Sequence, residues 1–528
     1  MRPRPPEVNL LDRLIGYLSP RAALKRRWAR FGLGQIEMAS GRYRGSAKDR
    51  LRNDWITTYL GSSTPNAWEL EELRNRSREL NCNHPVAHGA TDTLTQNVVG
   101  QGLTPQSKLR AENLGISPEE AKTLRRQAES IWSLWSAYAD AGDRLDFNEI
   151  QFLALRKIIE DGEIIAIPTF IKDNRRPLGR ALELIESDRL LSPPGRVEIM
   201  QGVELGAERR EPVRYWLRKA PLIKRDYEMD QQIYVGIPAR DARGRPMVLH
   251  VFPTQRPGQV RGIPYFAPVL SYFKDLGDYL EAEVVAARVA ACLAVFITKT
   301  DGYGGAVAGA TGTDTSGNRV QALEPGMIPY LNVGEDIKVV DPKGRGGETF
   351  GGMLNGLLRI IGASLGLPYE LLLKDFSQTN YSSARAALLE GRRMFTQWRG
   401  WFARKFCQPI FELVLEEAYL RGLFGARDFY RDRDELCRVT WVGGGWGWVD
   451  PVKEVQASKL AIDYGLSTQA EEAAGQGRDW EEIFEQLQRE KERAAELGLV
   501  FPVSGAPKMA VAGGPEPNQE GDGNAQAE

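Results

Sequence analysis

The stretch from Gly366 to Gly422, GLPYELLLKDFSQTNYSSARAALLEGRRMFTQWRGWFARKFCQPIFELVLEEAYLRG, limits what this chain can fold into more than any other. A Gly-Leu-Pro turn leads into a polar segment, Lys374 to Tyr381, and a long helix follows. Asn380, Ser382 and Ser383 are all good N-cap types, because a short side-chain oxygen can accept from the first free amides. Behind them Ala384, Ala387, Leu388, Met394, Phe395, Trp398, Trp401, Phe402, Phe406 and Ile410 recur at three- and four-residue steps. That spacing puts one apolar stripe on a helix. Arg385, Arg392, Arg393, Arg399 and Arg404 fall mostly off the stripe. Pro409 lacks a donor and clashes with the preceding turn, so the helix must kink or break there. From Ser383 to Gln408 the rod would be roughly 40 Å long at about 1.5 Å per residue. It carries too few charge pairs to stand alone and needs a large body to lie against.

With 528 residues the chain can supply two or more domains with real cores. Lys plus Arg number 69 and Asp plus Glu 70, so bulk charge gives no reason to expect a tight grip on phosphates. A nucleic-acid partner would have to be held loosely. Cys82, Cys292, Cys407 and Cys437 form no C-x-x-C unit, which argues against a zinc ribbon and a secreted disulfide framework. Arginines and prolines interrupt the N-terminal stretch, leaving no signal-peptide core. The most apolar run, Val284 to Ile297, is too short to span a bilayer and contains Arg288. The expectation is a soluble protein made in a reducing cytoplasm, without a membrane partner.

Residues 1–60 read as a basic arm, with Arg21, Lys25, Arg26, Arg27, Arg30, Arg42, Arg44, Lys48, Arg50 and Arg52 outnumbering the acids. Contact with nucleic acid or an acidic partner and a solvated leader are equally open for it. Asn66 to Gly102 reads as helix, turn, helix, with Asn83-His84-Pro85 at the turn and Asn97-Val98-Val99-Gly100 at the close. His84 and His88 are four apart, but Pro85 lies between them and only His250 remains elsewhere, so a metal site is rejected. Ser117-Pro118-Glu119-Glu120 is a capping box that starts a helix with Leu124, Ile131, Trp132 and Trp135 inward.

Glu163 to Phe170, Leu182 to Ile185, Val213 to Leu217 and Val248 to Phe252 read as strands of one mostly antiparallel sheet. Asp161 and Glu163 beside them take strand-edge and turn roles in this reading, since no nucleophile or positioned histidine accompanies them. Arg256-Pro257-Gly258-Gln259-Val260-Arg261-Gly262-Ile263-Pro264 is a rigid turn: two prolines fix φ, two glycines permit positive φ, and two arginines project. A helix from Pro268 to Phe296 follows, acidic at Asp275, Asp278, Glu281 and Glu283 and then alanine-rich. Thr300 to Gly347 is glycine-rich, with strand-like Met327 to Leu331 and Ile337 to Val340. No G-x-x-x-x-G-K-[ST] unit and no strand-G-x-G-x-x-G-helix unit occurs, so a flexible loop is expected there and no cofactor anywhere. Phe350 to Leu365 reads as a helix, Asp450-Pro451 starts another, and Thr468/Glu471 and Asp479/Glu482 read as capping boxes of two more. Beyond Gly505 the composition is that of a disordered tail.

Several of these segments, in this order, resemble the lambda-type bacteriophage portal proteins, the head–tail connector family. The run Gly366-Leu367-Pro368-Tyr369-Glu370, then Asp375, then Asn380-Tyr381-Ser382-Ser383-Ala384-Arg385 looks like the family signature. The arginine-rich helix with Arg74, Arg76 and Arg78, the asparagine-proline turn and the N-V-V-G ending are similar as well. So are the turn with Arg256, Pro257, Gly258, Gln259, Arg261, Gly262 and Pro264, and the D-P-x-K-E step from Asp450 to Glu454. The resemblance covers roughly Arg42 to Leu499.

It implies an α+β portal fold: an α+β wing at 61–265, stem helices at 266–298 and 348–366, and an inserted clip at 299–347. It further implies a tunnel loop at 367–382, a long kinked helix returning to the wing at 383–440, a crown-like helical region at 441–500 and a tail at 501–528. Copies would close into a dodecameric ring at a capsid vertex of the virion, assembled in the host bacterial cytoplasm. The implied partners are non-specifically bound double-stranded DNA, the terminase large subunit, the head–tail connector, and the major capsid and scaffolding proteins. Genome packaging and ejection would run through the ring without catalysis by the chain. Lys374, Asp375, Ser377, Gln378, Thr379, Asn380 and Tyr381 would line the DNA channel, and Pro368, Ser382, Ser383 and Arg385 are motif positions beside them. The rival is a metal-dependent nuclease or other hydrolase built on acidic pairs such as Asp161 with Glu163.

Overall fold

The computed structural model describes residues 67–219, 233–292, 347–377, 379–447 and 450–499, with short strands at 296–299, 312–313, 319–320 and 335–338. The chain divides into Met1–Thr64 and Pro65–Glu528, and the described residues belong to the second unit. The basic arm, the tail, Met327 to Leu331 and Gln378 lie outside the described residues.

Helices α1 (Ala67–Asn83) and α2 (Pro85–Val98) meet at His84. Its imidazole accepts from the Ala87 amide at 3.4 Å, and Pro85 occupies the first turn, where no N–H is needed. Strand β1 (Thr104–Ser107) precedes α3 (Pro118–Ser136), whose Ser117/Glu120 capping box is closed in both directions at 3.1 and 3.2 Å. A second box, Asp146 with Glu149, starts α4 (Phe147–Asp161). Trp132 and Trp135 are buried, and Trp132 meets Phe147 at 4.8 Å and Phe411 at 5.5 Å. This aromatic cluster is the centre of the main core.

All four strand candidates form, but they split between two sheets. Strands β2 (Ile164–Phe170), β3 (Arg180–Ile185) and β7 (Leu249–Val251) make one antiparallel sheet in the order β3-β2-β7. Strands β4 (Val203–Leu205), β5 (Pro212–Arg218) and β6 (Tyr234–Pro238) make the other. The alternation along β2 explains the split. Ile164 and Ala166 enter the main core, while Ile165 faces a second core with Ile185, Leu190, Tyr215 and Leu217. A strand buried on both faces reads as a continuous apolar run.

Next come α5 (Leu270–Cys292) and β8 (Phe296–Lys299), so the helix expected to reach Phe296 stops short and a strand begins there. The two-residue strands β9 (Gly312–Thr313) and β10 (Arg319–Val320) pair with each other, and β11 (Glu335–Lys338) returns to pair with β8. Helix α6 (Gly347–Leu365) lies against α5, with Tyr279 stacked on Phe350 at 5.7 Å. A short α7 (Tyr369–Leu373) leads to α8 (Tyr381–Phe402).

The interruption demanded by Pro409 is placed in the turn before it. Residues Ala403–Cys407 form a π-helical turn, and the Gln408 N–H donates to Ala403 O, five residues back. Helix α9 (Gln408–Leu420) then carries Pro409 in its first turn, where the missing donor costs nothing. On the apolar stripe Phe395, Phe402, Phe406 and Ile410 are buried, whereas Trp398 and Trp401 are only half-buried.

Strand β12 (Val439–Val442) pairs antiparallel with β1, and Trp441 adds to the aromatic cluster, 5.5 Å from Trp132. Helices α10 (Pro451–Asp463), α11 (Gln469–Gly475) and α12 (Trp480–Glu496) complete the described chain. The Thr468/Glu471 box forms, but Asp479 caps α12 by accepting from the Glu481 amide at 2.8 Å and makes no box with Glu482.

Candidate functional site

The arginine-rich helix, the Asp161-Gly162-Glu163 corner and the Arg256–Pro264 turn converge on one buried cluster of charge. Glu163 is 1% exposed, and its carboxylate accepts from Arg261 at 2.5 and 2.9 Å, Arg74 at 2.7 Å and the Gly262 amide at 2.7 Å. The Nε2 atom of His250 lies 3.0 Å away. Burial alone would raise this carboxyl, but the guanidiniums of Arg261 and Arg74 outweigh it and hold Glu163 well below its ordinary range. Arg261 also donates to the carbonyls of Leu190, Gln201 and Ser187 at 2.9, 2.7 and 3.0 Å, so every guanidinium N–H has an acceptor. Asp161, equally buried, takes Arg78 in a two-pronged bond at 2.7 and 2.9 Å, and Arg78 reaches on to Asp188 at 2.5 Å.

Three expectations change here. Asp161 and Glu163 are not strand-edge or turn acids: both are buried, because arginines from α1 and the turn neutralise them. Of the two arginines expected to project, Arg256 is exposed but Arg261 turns inward to Glu163. Of the two glycines, Gly258 has φ +78°, as a tight turn requires. Gly262 serves close approach instead, since a Cβ there would sit 2.1 Å from the carbonyl oxygen of Gly162. Gln259 braces the turn, accepting from the Gln255 amide at 2.8 Å and donating to Arg261 O at 2.8 Å. Pro257 is exposed and Pro264 buried. The knot holds α1, β2, β7 and the turn as one rigid corner. Its polar atoms are satisfied, so it offers no open position for chemistry.

The segment before the long helix is built differently. Gly366 ends α6 at φ +65°, and Pro368 accepts from the Leu371 and Leu372 amides at 3.0 and 2.9 Å to start α7. Lys374 then adopts φ +57°, a left-handed conformation seldom taken by a residue with a Cβ. Asp375 accepts from the Ser377 amide at 2.9 Å, and that bond draws its carboxyl below the usual range. Thr379 donates its hydroxyl to Phe376 O at 3.0 Å, and Asn380 caps α8 through the Ser383 amide at 2.9 Å. Asn380 is thus the N-cap, and Ser382 and Ser383 belong to the first turn. Lys374, Ser377 and Tyr381 are exposed. Asp375 is turned to the Ser377 amide. Lys453 of α10 sits over the Tyr381 ring at 5.9 Å, and its hydrogen bonds to Asp450, with a smaller contribution from Arg385, lower that carboxyl.

A glycine strap joins β12 to the C-terminal helices. Arg392 donates to Gly447 O at 2.7 Å, and Arg399 donates to Gly444 O at 3.2 Å while stacking on Trp446 at 4.5 Å. Arg399 also donates to the carbonyls of Asn97 and Val98 at 2.9 Å, satisfying the end of α2. These roles were not readable from α8, where the two arginines look like solvated off-stripe residues.

Among the described residues, no group of three or more His, Cys, Asp or Glu side chains is arranged to hold a metal ion. His84 is engaged as a cap and His88 contacts Asn81 O at 2.9 Å. Cys407 and Cys437 are buried thiols, each raised by burial, and Cys82 is exposed. Among the described residues, no helix is long and apolar enough to cross a membrane.

The sequence pattern of the family described as phage portal protein, lambda family, matches residues 48–399. The chain belongs to that family of phage portal proteins, components of the bacteriophage virion. It is 26% identical over 494 residues to a probable portal protein of Halomonas phage phiHAP-1, covering 91% of this chain and 92% of that one. It is 27% identical to the portal protein of Escherichia phage N15, covering 86% and 89%. The portal protein B of Escherichia phage lambda is 25% identical, with 81% and 84% covered. Among solved structures, a chain in the neck of a native gene transfer agent particle aligns at 14% identity and a TM-score of 0.40, covering 76% of this chain and 93% of that one.

Proposed function

We propose that copies of this portal protein close head to tail into a dodecameric ring that forms the DNA channel at one capsid vertex. Closure by rotation requires two different complementary faces on each copy. The observation that carries the reading is the family match over 48–399, which spans the described helix–insertion–helix hairpin and ends inside α8. In this reading α5 and α6 are the stem, and the segment entered by β8 and left by β11 is the clip that docks the terminase motor and later the head–tail connector. The wing takes 61–265, and α10 to α12 make a crown-like region. The role is structural. The rival hydrolase loses its best pair, because Asp161 and Glu163 are saturated by arginines and cannot also bind a metal. Negative-stain imaging of the purified chain tests the proposal: annular particles with a central hole are expected, and dispersed monomers at assembly concentrations would overturn it.

Lys374 to Tyr381, with Gln378 among them, is assigned to the channel wall as the tunnel loop. Its support is an exposed lysine on a turn in which Asp375, Thr379 and Asn380 bond to neighbouring backbone, so those residues do not depend on DNA for their placement. Lys374 would give DNA a weak phosphate contact. Lys374→Ala, or removal of Ser377 to Thr379, is expected to leave rings intact while packaging falls or packaged DNA slips out. Loss of rings in both variants would make the segment a structural turn.

A further inference from the structure

Between the α12 helix and the wing lies a cleft of about 1150 Å³, floored by Trp132 and β1 and walled by Ile483 and Leu487. Six carboxylates line it (Glu129, Asp146, Asp479, Glu482, Glu485 and Glu490) against the two guanidiniums of Arg478 and Arg489. Only Glu485 has a cation partner among the described residues, Arg126. Glu129 accepts from the Ser107 amide at 2.7 Å, and its carboxyl is pushed up to about 7 by burial first and then by Asp479, Glu481 and Glu482. Burial is the larger cause, and the neighbouring carboxylates add to it.

We infer that this cleft is a docking groove for a basic segment of another protein, one carrying apolar side chains between its cations. The size and spread of the charge choose among occupants. The cleft is larger than an ion needs, and no three of its acids converge as metal ligands would. Nucleic acid is repelled by the same carboxylates. A polypeptide with separated Lys or Arg residues can meet separated acids, and its apolar residues can cover Ile483 and the half-exposed Leu487, 43% accessible. The inference does not depend on where the DNA channel runs.

The test uses the full chain and a fluorescein-labelled 12-residue peptide, (Arg-Leu-Lys-Ala)3, read by fluorescence anisotropy. Saturable binding that weakens with salt is expected, with none for the acidic twin (Glu-Leu-Asp-Ala)3. The double variant Glu482→Gln/Glu490→Gln removes two exposed acids outside any ion pair, so the fold should survive, as an unchanged melting temperature would show. It should weaken peptide binding roughly tenfold, the scale of two partly solvated charge pairs. Leu487→Ser should weaken it as well, which a purely electrostatic attraction would not predict. Equal binding of the twin, no effect of the double variant, or no binding at all would each overturn the inference.

Discussion

Replacing Arg261 with methionine is expected to cost the fold about 3–5 kcal/mol, because it strands a carboxylate buried without its main counter-charge. Glu163 would keep Arg74, His250 and the Gly262 amide but lose the two-pronged bond from Arg261. The pH dependence separates this cause from lost packing. In the native protein Glu163 is held below the ordinary glutamate value of 4.5, so its stabilising contribution is present above that pH and is lost as pH falls through the depressed value. In the variant, burial prevails and Glu163 takes up a proton at higher pH, which relieves the cost. The stability gap between native and variant should therefore narrow on going from neutral pH toward 4. Denaturant unfolding at a series of pH values checks this, and a gap independent of pH would mean that Arg261 acts mainly by filling space.

The second large effect is expected at Phe406. This ring is fully buried, stacks on Phe402 at 5.0 Å and on Phe147 at 6.3 Å, and lies in the π-helical turn where the long helix changes direction. Phe406→Ala should cost about 3–5 kcal/mol, the usual range for emptying an aromatic site in a packed core. Trp398→Ala and Trp401→Ala, which the sequence pattern alone would rank as high, should cost about 1–2 kcal/mol, since half-buried rings gain only part of the transfer energy. Melting of the three variants side by side gives the order. Trp variants as damaging as Phe406→Ala would show that a neighbouring copy buries those rings.

The difference between the tryptophans and Phe406 shows what a sequence of this kind discloses. Periodicity along α8 located the stripe, and the short side chains before it located the cap at Asn380. Neither could say which stripe residues meet a body, because that depends on elements far away in the chain. The capping boxes at Ser117 and Thr468 were legible because their chemistry is local. The Glu163 knot was not: its partners lie 89 and 98 residues away, and a glutamate after a glycine looks like any turn residue. The motif match marked Arg261 without revealing that it points inward. The split of one expected sheet into two likewise follows from β2 being covered on both faces, which only the packing of β5 decides.

The pairing of β1 with β12 sets a schedule for synthesis. Thr104 bonds to Val442 across 338 residues, so the β1–β12 sheet cannot close until most of the chain has left the ribosome. At roughly 5–20 residues per second, that leaves about 15 to 60 seconds in which Trp132 waits for Trp441. During that interval α5 and α6, which both precede β12 in the chain, can already have met. We expect assembly to be timed by this closure: a nascent chain halted before Val439 should show protease sensitivity around Thr104 to Ser107, and one released past Val442 should not. Protection at the earlier stage would mean that β1 is covered without β12. Until that late closure the aromatic cluster around Trp132 is incomplete, so only full-length copies offer a finished surface to one another.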